Sequence, residues 1–185
     1  MVIQKKLYTV DEFEAFIGLP ENADRLFELI NGEIVEKVPT QLHGVIAART
    51  TIRVGGFVEQ HGLGYVAVEV RHQMPGDEHN ARLPDIAFYA DTTTPLVERG
   101  AVPRMPDLAI EIQSPDDSLQ EMSDKADYYL ANGSRMVWLM VSLKRLIEVR
   151  TSHSRDLLTD QDILDGGDVL RGFRVPVSEL FPPKP

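Results

Sequence analysis

Two short apolar runs each carry a carboxylate in their midst: Leu83-Pro84-Asp85-Ile86-Ala87-Phe88-Tyr89 and Pro106-Asp107-Leu108-Ala109-Ile110-Glu111-Ile112-Gln113-Ser114-Pro115. Both have strand length and a β-prone, aliphatic composition. A buried strand that keeps an ionised carboxylate must give it a partner, because an unpaired buried charge costs several kcal/mol or neutralises itself. Two such strands side by side would hold Asp85 and Glu111 close enough to share a divalent cation. Such a site takes hard oxygen ligands, and Mg²⁺ binds one or two carboxylates while keeping several waters. The same residues also fit a plainer arrangement. In it, Asp85 opens a turn after Pro84 and Glu111 pairs with a nearby Lys or Arg.

A basic group beside such a pair would position or deprotonate an attacking water and offset charge on a phosphate in the transition state. Lys125 is the candidate, about two turns into a helix that follows the Glu111 strand and able to point back toward its end. Gln113 projects from the same strand face as Glu111 and could orient a water, but it cannot act as a base. Other chemistries lack their motifs. The chain has no GxxxxGK or GxGxxG phosphate loop, no Gly-x-Ser-x-Gly elbow and no cysteine, and its five histidines lack paired metal-ligand spacing.

The elements that would position these residues read clearly in places. Thr9-Val10-Asp11-Glu12 has capping-box spacing and predicts a short helix ended by Gly18 and Pro20. Asn31-Gly32 between two apolar runs predicts a tight β-hairpin, with Glu28 and Glu33 as solvated hairpin residues or ligands. Helical periodicity predicts a helix from Gln41 to about His61, stopped by Gly62, with His43 in its first turn. Gly55-Gly56 within it predicts close packing or a kink. Strands are expected at Tyr65–Val70, continuing toward Met74, then at Arg82–Tyr89 and Asp107–Gln113. Ser118-x-x-Glu121 caps a helix to about Asn132, followed by a central strand at Met136–Val141 and another at Leu146–Val149. Ser152–Asp168 reads as turns, Val169–Val177 as an edge strand, and Val177–Phe181 as a last helical turn. The expected architecture is α/β (α+β) with a mixed sheet, in one domain over residues 1–185 with its core at about 25–181.

Composition sets the outer bounds. The 185 residues suit a single core, with 43% hydrophobic and 26% charged residues as in ordinary globular proteins. No run approaches the roughly 20 apolar residues of a membrane span. Met1–Lys6 lacks the apolar core of a signal peptide, so a cytoplasmic protein is expected. The net charge of −10 works against broad electrostatic binding of nucleic acid, although a metal-filled acidic site or a local basic patch is compatible with it.

Pro84-Asp85 on one strand and Glu111-x-Gln113 on the next resemble the PD-(D/E)xK nuclease core. More narrowly, a series of landmarks resembles the Uma-two family (domain of unknown function 820) of restriction-endonuclease-like proteins. They are Phe27-Glu28-Leu29-Ile30-Asn31-Gly32-Glu33, His43, Leu83-Pro84-Asp85, Pro106 to Pro115, Lys125 with Tyr128-Tyr129, Val137-Trp138-Leu139 and Gly172-Phe173. The resemblance implies a restriction-endonuclease-like fold, a central mixed sheet flanked by helices. It implies hydrolysis of DNA phosphodiester bonds dependent on Mg²⁺ (or Mn²⁺), with Asp85 and Glu111 as metal ligands. The superfamily's third signature position is a lysine where this chain has Gln113. Lys125 lies where the family pattern carries a lysine on the following helix and would fill that role. Glu33 and His43 match landmark positions as supporting residues, and a homodimer is expected by analogy. The acidic charge and Gln113 also fit a rival of another class, a catalytically inactive nuclease-fold protein acting as an interaction module.

Overall fold

The structure, a computed structural model, describes residues 6–183; the N-terminal signal reading over Met1–Lys6 therefore lies almost wholly outside the described residues. The chain divides into two compact units. The smaller comprises the N-terminal segment to Val38 together with residues 71–83 and 97–104. It opens with helix α1, Val10–Ile17, where Thr9 and Glu12 form the reciprocal capping box the sequence predicts. Strands β1, Leu26–Ile30, and β2, Glu33–Lys37, form an antiparallel hairpin. Its turn holds Asn31 at φ 50° and Gly32 at φ 82°, the left-handed pair a two-residue hairpin requires. Val10, Phe13, Phe27, Leu29 and Ala81 make this unit's core.

Glu28 departs from expectation. It is buried rather than solvated, and its Oε2 accepts the Leu83 N–H at 3.4 Å. Lys37 Nζ donates to the Leu83 carbonyl at 2.8 Å, so the hairpin holds both sides of that residue.

His72 is fully buried in the same unit, with Nδ1 2.7 Å from the Arg104 carbonyl. Burial pushes its pKa from 6.5 down to about 4, against the opposing pull of that hydrogen bond. Above pH 6.5 the ring is neutral folded and unfolded, and contributes nothing to pH dependence. Between 6.5 and 4 the unfolded chain takes up a proton that the folded protein refuses, so stability falls as pH drops and levels off below 4. The His72 part of that loss is about 3 kcal/mol. Urea midpoints measured from pH 7 to pH 4 should show this step, and His72→Gln should flatten it.

The larger unit comprises residues 39–70, 84–96 and 105 onward. Helix α2, Gln41–His61, is capped by Thr40 and ends in Gly62 at φ 61°, as the periodicity predicts. It runs unbroken through Gly55-Gly56, and a Cβ at either glycine would meet nothing within 4 Å, so the expected close approach is absent. Strands β3 (Tyr65–Val68), β4 (Ile86–Tyr89), β5 (Leu108–Ile112), β6 (Met136–Val141), β7 (Leu146–Arg150) and β8 (Arg155–Leu158) form one sheet in that order. Neighbours are antiparallel except β5 and β6, which are parallel, so the sheet is mixed.

Helix α3, Leu119–Ala131, makes the parallel crossover between β5 and β6, and Ser118 and Glu121 form its capping box. Ile110, Ile112, Trp138 and Met140 point into a core shared with Ile46, Val54 and Val58 of α2. Alternation along β5 turns Glu111 to the opposite face, toward α3.

Two sequence readings fail here for physical reasons. β3 stops at Val68 instead of continuing to Val70 or Met74, because Glu69 takes a left-handed φ of 53° that no strand continues through. The polar stretch 152–168 is not all turn. It contains β8 and β9, Ile163–Asp165, the latter pairing with β10, Arg174–Pro176. Both are short strands with exposed polar positions, and their stability comes from the partner rather than from their own composition.

Candidate active site

Asp85 sits at the bend just before β4, after Pro84, and is 4% exposed. Its Oδ2 accepts the Ile112 N–H at 2.7 Å, so the side chain caps the end of the β4–β5 ladder. The first turn of α2 brings His43 to the same oxygen, with Nε2 at 3.2 Å from Oδ2. His43 is itself buried, and its backbone N–H is held by the Thr40 hydroxyl. With the proton on Nε2 the ring donates to Asp85 and fixes which way the carboxylate faces.

Glu111 lies in the middle of the sheet on β5 and is 3% exposed. Two residues of α3, one helical turn apart, approach its two oxygens. Tyr129 Oη donates to Oε1 at 2.6 Å, and Lys125 Nζ lies 3.3 Å from Oε2. The spacing of four residues explains the pairing, since i and i+4 share one face of a helix. The Lys125 side chain is 13% exposed, so its ammonium is largely withdrawn from water and its attraction to the carboxylate is only partly screened.

The strand registers relate the two carboxylates. Ile86 pairs with Ile110, so one step along the ladder sets Asp85 opposite Glu111. Val68 pairs with Ile86 on the other side, and the same step adds Glu69 to the row. Glu69 donates its N–H to the Asp85 carbonyl at 3.2 Å. Together with His43 and Asp85 it lines a cleft of about 400 Å³, whose remaining wall includes Gly44, Ala47, Ala48 and Thr51 of α2.

Gln113 is placed differently. Its amide nitrogen donates to the Asp117 carbonyl at 3.0 Å, in the turn leading to α3. Glu33 lies at the start of β2 in the smaller unit. The larger unit thus gathers Asp85 with His43, and Glu111 with Lys125. The plainer sequence reading also has its counterparts, since Asp85 follows a bend and Glu111 pairs with a lysine.

Among the described residues, no three His, Asp or Glu side chains converge closely enough to hold a metal by themselves. The backbone register sets Asp85 one step beyond the β4–β5 ladder, level with Glu111, and two carboxylates with water in the other positions are the donor set a hard divalent cation would take.

Sequence reasoning did not single out Tyr129 as a partner of Glu111 or Glu69 as a neighbour of Asp85. The i, i+4 relation of Tyr129 to Lys125 was a usable signal for the first. Nothing local marks the second, because Glu69 sits in an alternating run that reads as uninterrupted strand. Among the described residues no helix is long and apolar enough to cross a membrane.

A solved structure, a "putative nuclease belonging to DUF820" from Anabaena variabilis ATCC 29413, is similar over 94% of this chain and 97% of its own, with a TM-score of 0.78. At 24% identity that likeness establishes the fold, a mixed sheet with helices of the restriction-endonuclease-like kind. No curated protein matches the chain. The family profile "Uma2: Putative restriction endonuclease" matches residues 10–178, nearly the whole sequence, and the chain belongs to that family.

Proposed function

We propose that the protein is a divalent-metal-dependent endonuclease that hydrolyses DNA phosphodiester bonds, with Asp85 and Glu111 holding Mg²⁺ or Mn²⁺. The observation that carries this reading is the buried Lys125–Glu111 pair at 3.3 Å, with Asp85 one register step beyond the paired residues Ile86 and Ile110. A bound cation would polarise the phosphoryl oxygen and lower the pKa of a coordinated water. The chain's own groups do the rest. Glu111 keeps the Lys125 ammonium at the site, where its fixed charge offsets the charge that grows on the phosphate. His43 holds the Asp85 carboxylate in one orientation. Gln113 has its amide nitrogen engaged by Asp117 and is left the lesser task of orienting water through its oxygen. Glu33 is a supporting candidate with no assigned step. A cytoplasmic homodimer acting on DNA completes the proposal.

Plasmid nicking in Mg²⁺ or Mn²⁺ tests it. Lys125→Met should lower the nicking rate about a hundredfold, the scale of losing one preorganised electrostatic group. Gln113→Ala should stay near wild type. The reverse ranking would return the essential role to the signature position and remove Lys125 from the mechanism. A second reading rests on charge. Arg25 pairs with Glu36, Arg53 with Glu179, Arg145 with Asp160 and Arg150 with Asp127, so basic side chains spread along the chain are met by carboxylates. This favours an inactive interaction module, and wild-type protein that binds neither cation nor DNA would turn the choice from the nuclease toward it.

A further inference from the structure

We propose that Tyr129 is a positioning residue of the metal centre, one that sets the orientation of the Glu111 carboxylate without altering its charge. The inference rests on the reading of Glu111 as a metal ligand and extends it to a residue with no assigned role. Tyr129 is fully buried on α3, and its hydroxyl donates to Glu111 Oε1 at 2.6 Å, shorter than the 3.3 Å between Lys125 and Oε2. Its ring lies edge-on to that of Tyr128, with centroids 6.4 Å apart.

The chemistry of the donor matters. A carboxylate that must attract a divalent cation is weakened by every positive charge placed against it, and Lys125 already supplies one. A second cation at Oε1 would fix the oxygen but cancel more of the field. A phenol gives a strong, directional hydrogen bond to an anion and adds no charge at neutral pH. Tyr129 and Lys125 thus divide the work: the first holds the carboxylate plane, and the second supplies charge for the phosphate. Partners of this kind behind a metal ligand are commonly worth 10- to 100-fold in metal affinity.

Calorimetric titration of Mn²⁺ into wild type, Tyr129→Phe and Glu111→Gln, with a thermal melt of each protein, tests the assignment. Tyr129→Phe keeps the ring that fills the core and should weaken Mn²⁺ binding roughly tenfold or more, while Glu111→Gln loses it. Tyr128→Phe, changed on the neighbouring ring, should bind as wild type. A Tyr129→Phe protein that folds and binds Mn²⁺ with wild-type affinity overturns the proposal but leaves the metal reading standing. A wild type that takes up no cation overturns both. Should Tyr129→Phe fail to fold, 3-fluorotyrosine placed at position 129 keeps the hydrogen bond and makes it a stronger donor. Its Mn²⁺ affinity must then shift from wild type, and an unchanged value overturns the assignment.

Discussion

Glu111→Gln should abolish metal-dependent nicking, with a loss of about a thousandfold or more. The size follows from what the change removes. A partner behind a metal ligand is typically worth up to about a hundredfold, so loss of the ligand's own charge must exceed that. Lys125 would also lose its counter-ion at 3.3 Å and cease to be held at the site. The fold should survive. Glutamine nearly matches glutamate in volume, its carbonyl oxygen can still accept from the Tyr129 hydroxyl, and Lys125 can turn its ammonium to water from a position already 13% exposed. A nicking assay and a melting curve on one preparation therefore separate the outcomes. Lost activity with a melting temperature within a few degrees of wild type supports the site. Retained activity removes Glu111 from it.

The readable parts of this chain were those whose signals are local. Thr9 with Glu12 and Ser118 with Glu121 specify helix starts through side chains three residues apart, and both boxes form. Asn31-Gly32 specifies its hairpin because few other residues accept two successive positive φ values. The run Met136–Val141 is buried at every position, which only a central strand explains. Helical geometry let Lys125 point back toward the Glu111 strand, and its Nζ lies 3.3 Å from Glu111 Oε2.

What could not be read depends on partners distant in sequence. Glu28 looks solvated by alternation and is buried because Leu83 comes to it from 55 residues away. β8 is polar and becomes a strand because β7 offers a ladder edge. His43 and Asp85 lie on different elements, and nothing in either segment names the other. The carboxylate strands themselves were legible, whereas the donors that orient them became visible only when α2 and α3 were set against the sheet.

Gly64→Ala should be the most damaging single substitution for stability. Gly64 lies between the left-handed end of α2 at Gly62 and the first residue of β3, Tyr65. Its φ of 142° is a conformation open essentially to glycine alone. A Cβ built there would stand 1.9 Å from the Tyr89 carbonyl oxygen and 2.9 Å from its carbon, with Ala90 Cα at 3.1 Å. These are backbone atoms of the paired strand, so no rotamer change relieves the overlap. Either the β3–β4 ladder parts at its Tyr65–Tyr89 end or the turn after α2 is rebuilt. Backbone strain of this class costs about 1–3 kcal/mol before the steric overlap is added, so a total above about 4 kcal/mol is expected. Against the 5–15 kcal/mol that holds a typical domain together, such a loss takes a large share. The contrast lies one helix end earlier. Gly55→Ala and Gly56→Ala meet open space in a helix interior, where alanine is favoured by up to about 1 kcal/mol, and should raise stability. Urea unfolding of the three variants side by side tests the argument. A Gly64→Ala protein as stable as wild type would mean that β3 and β4 do not approach as closely as this glycine requires.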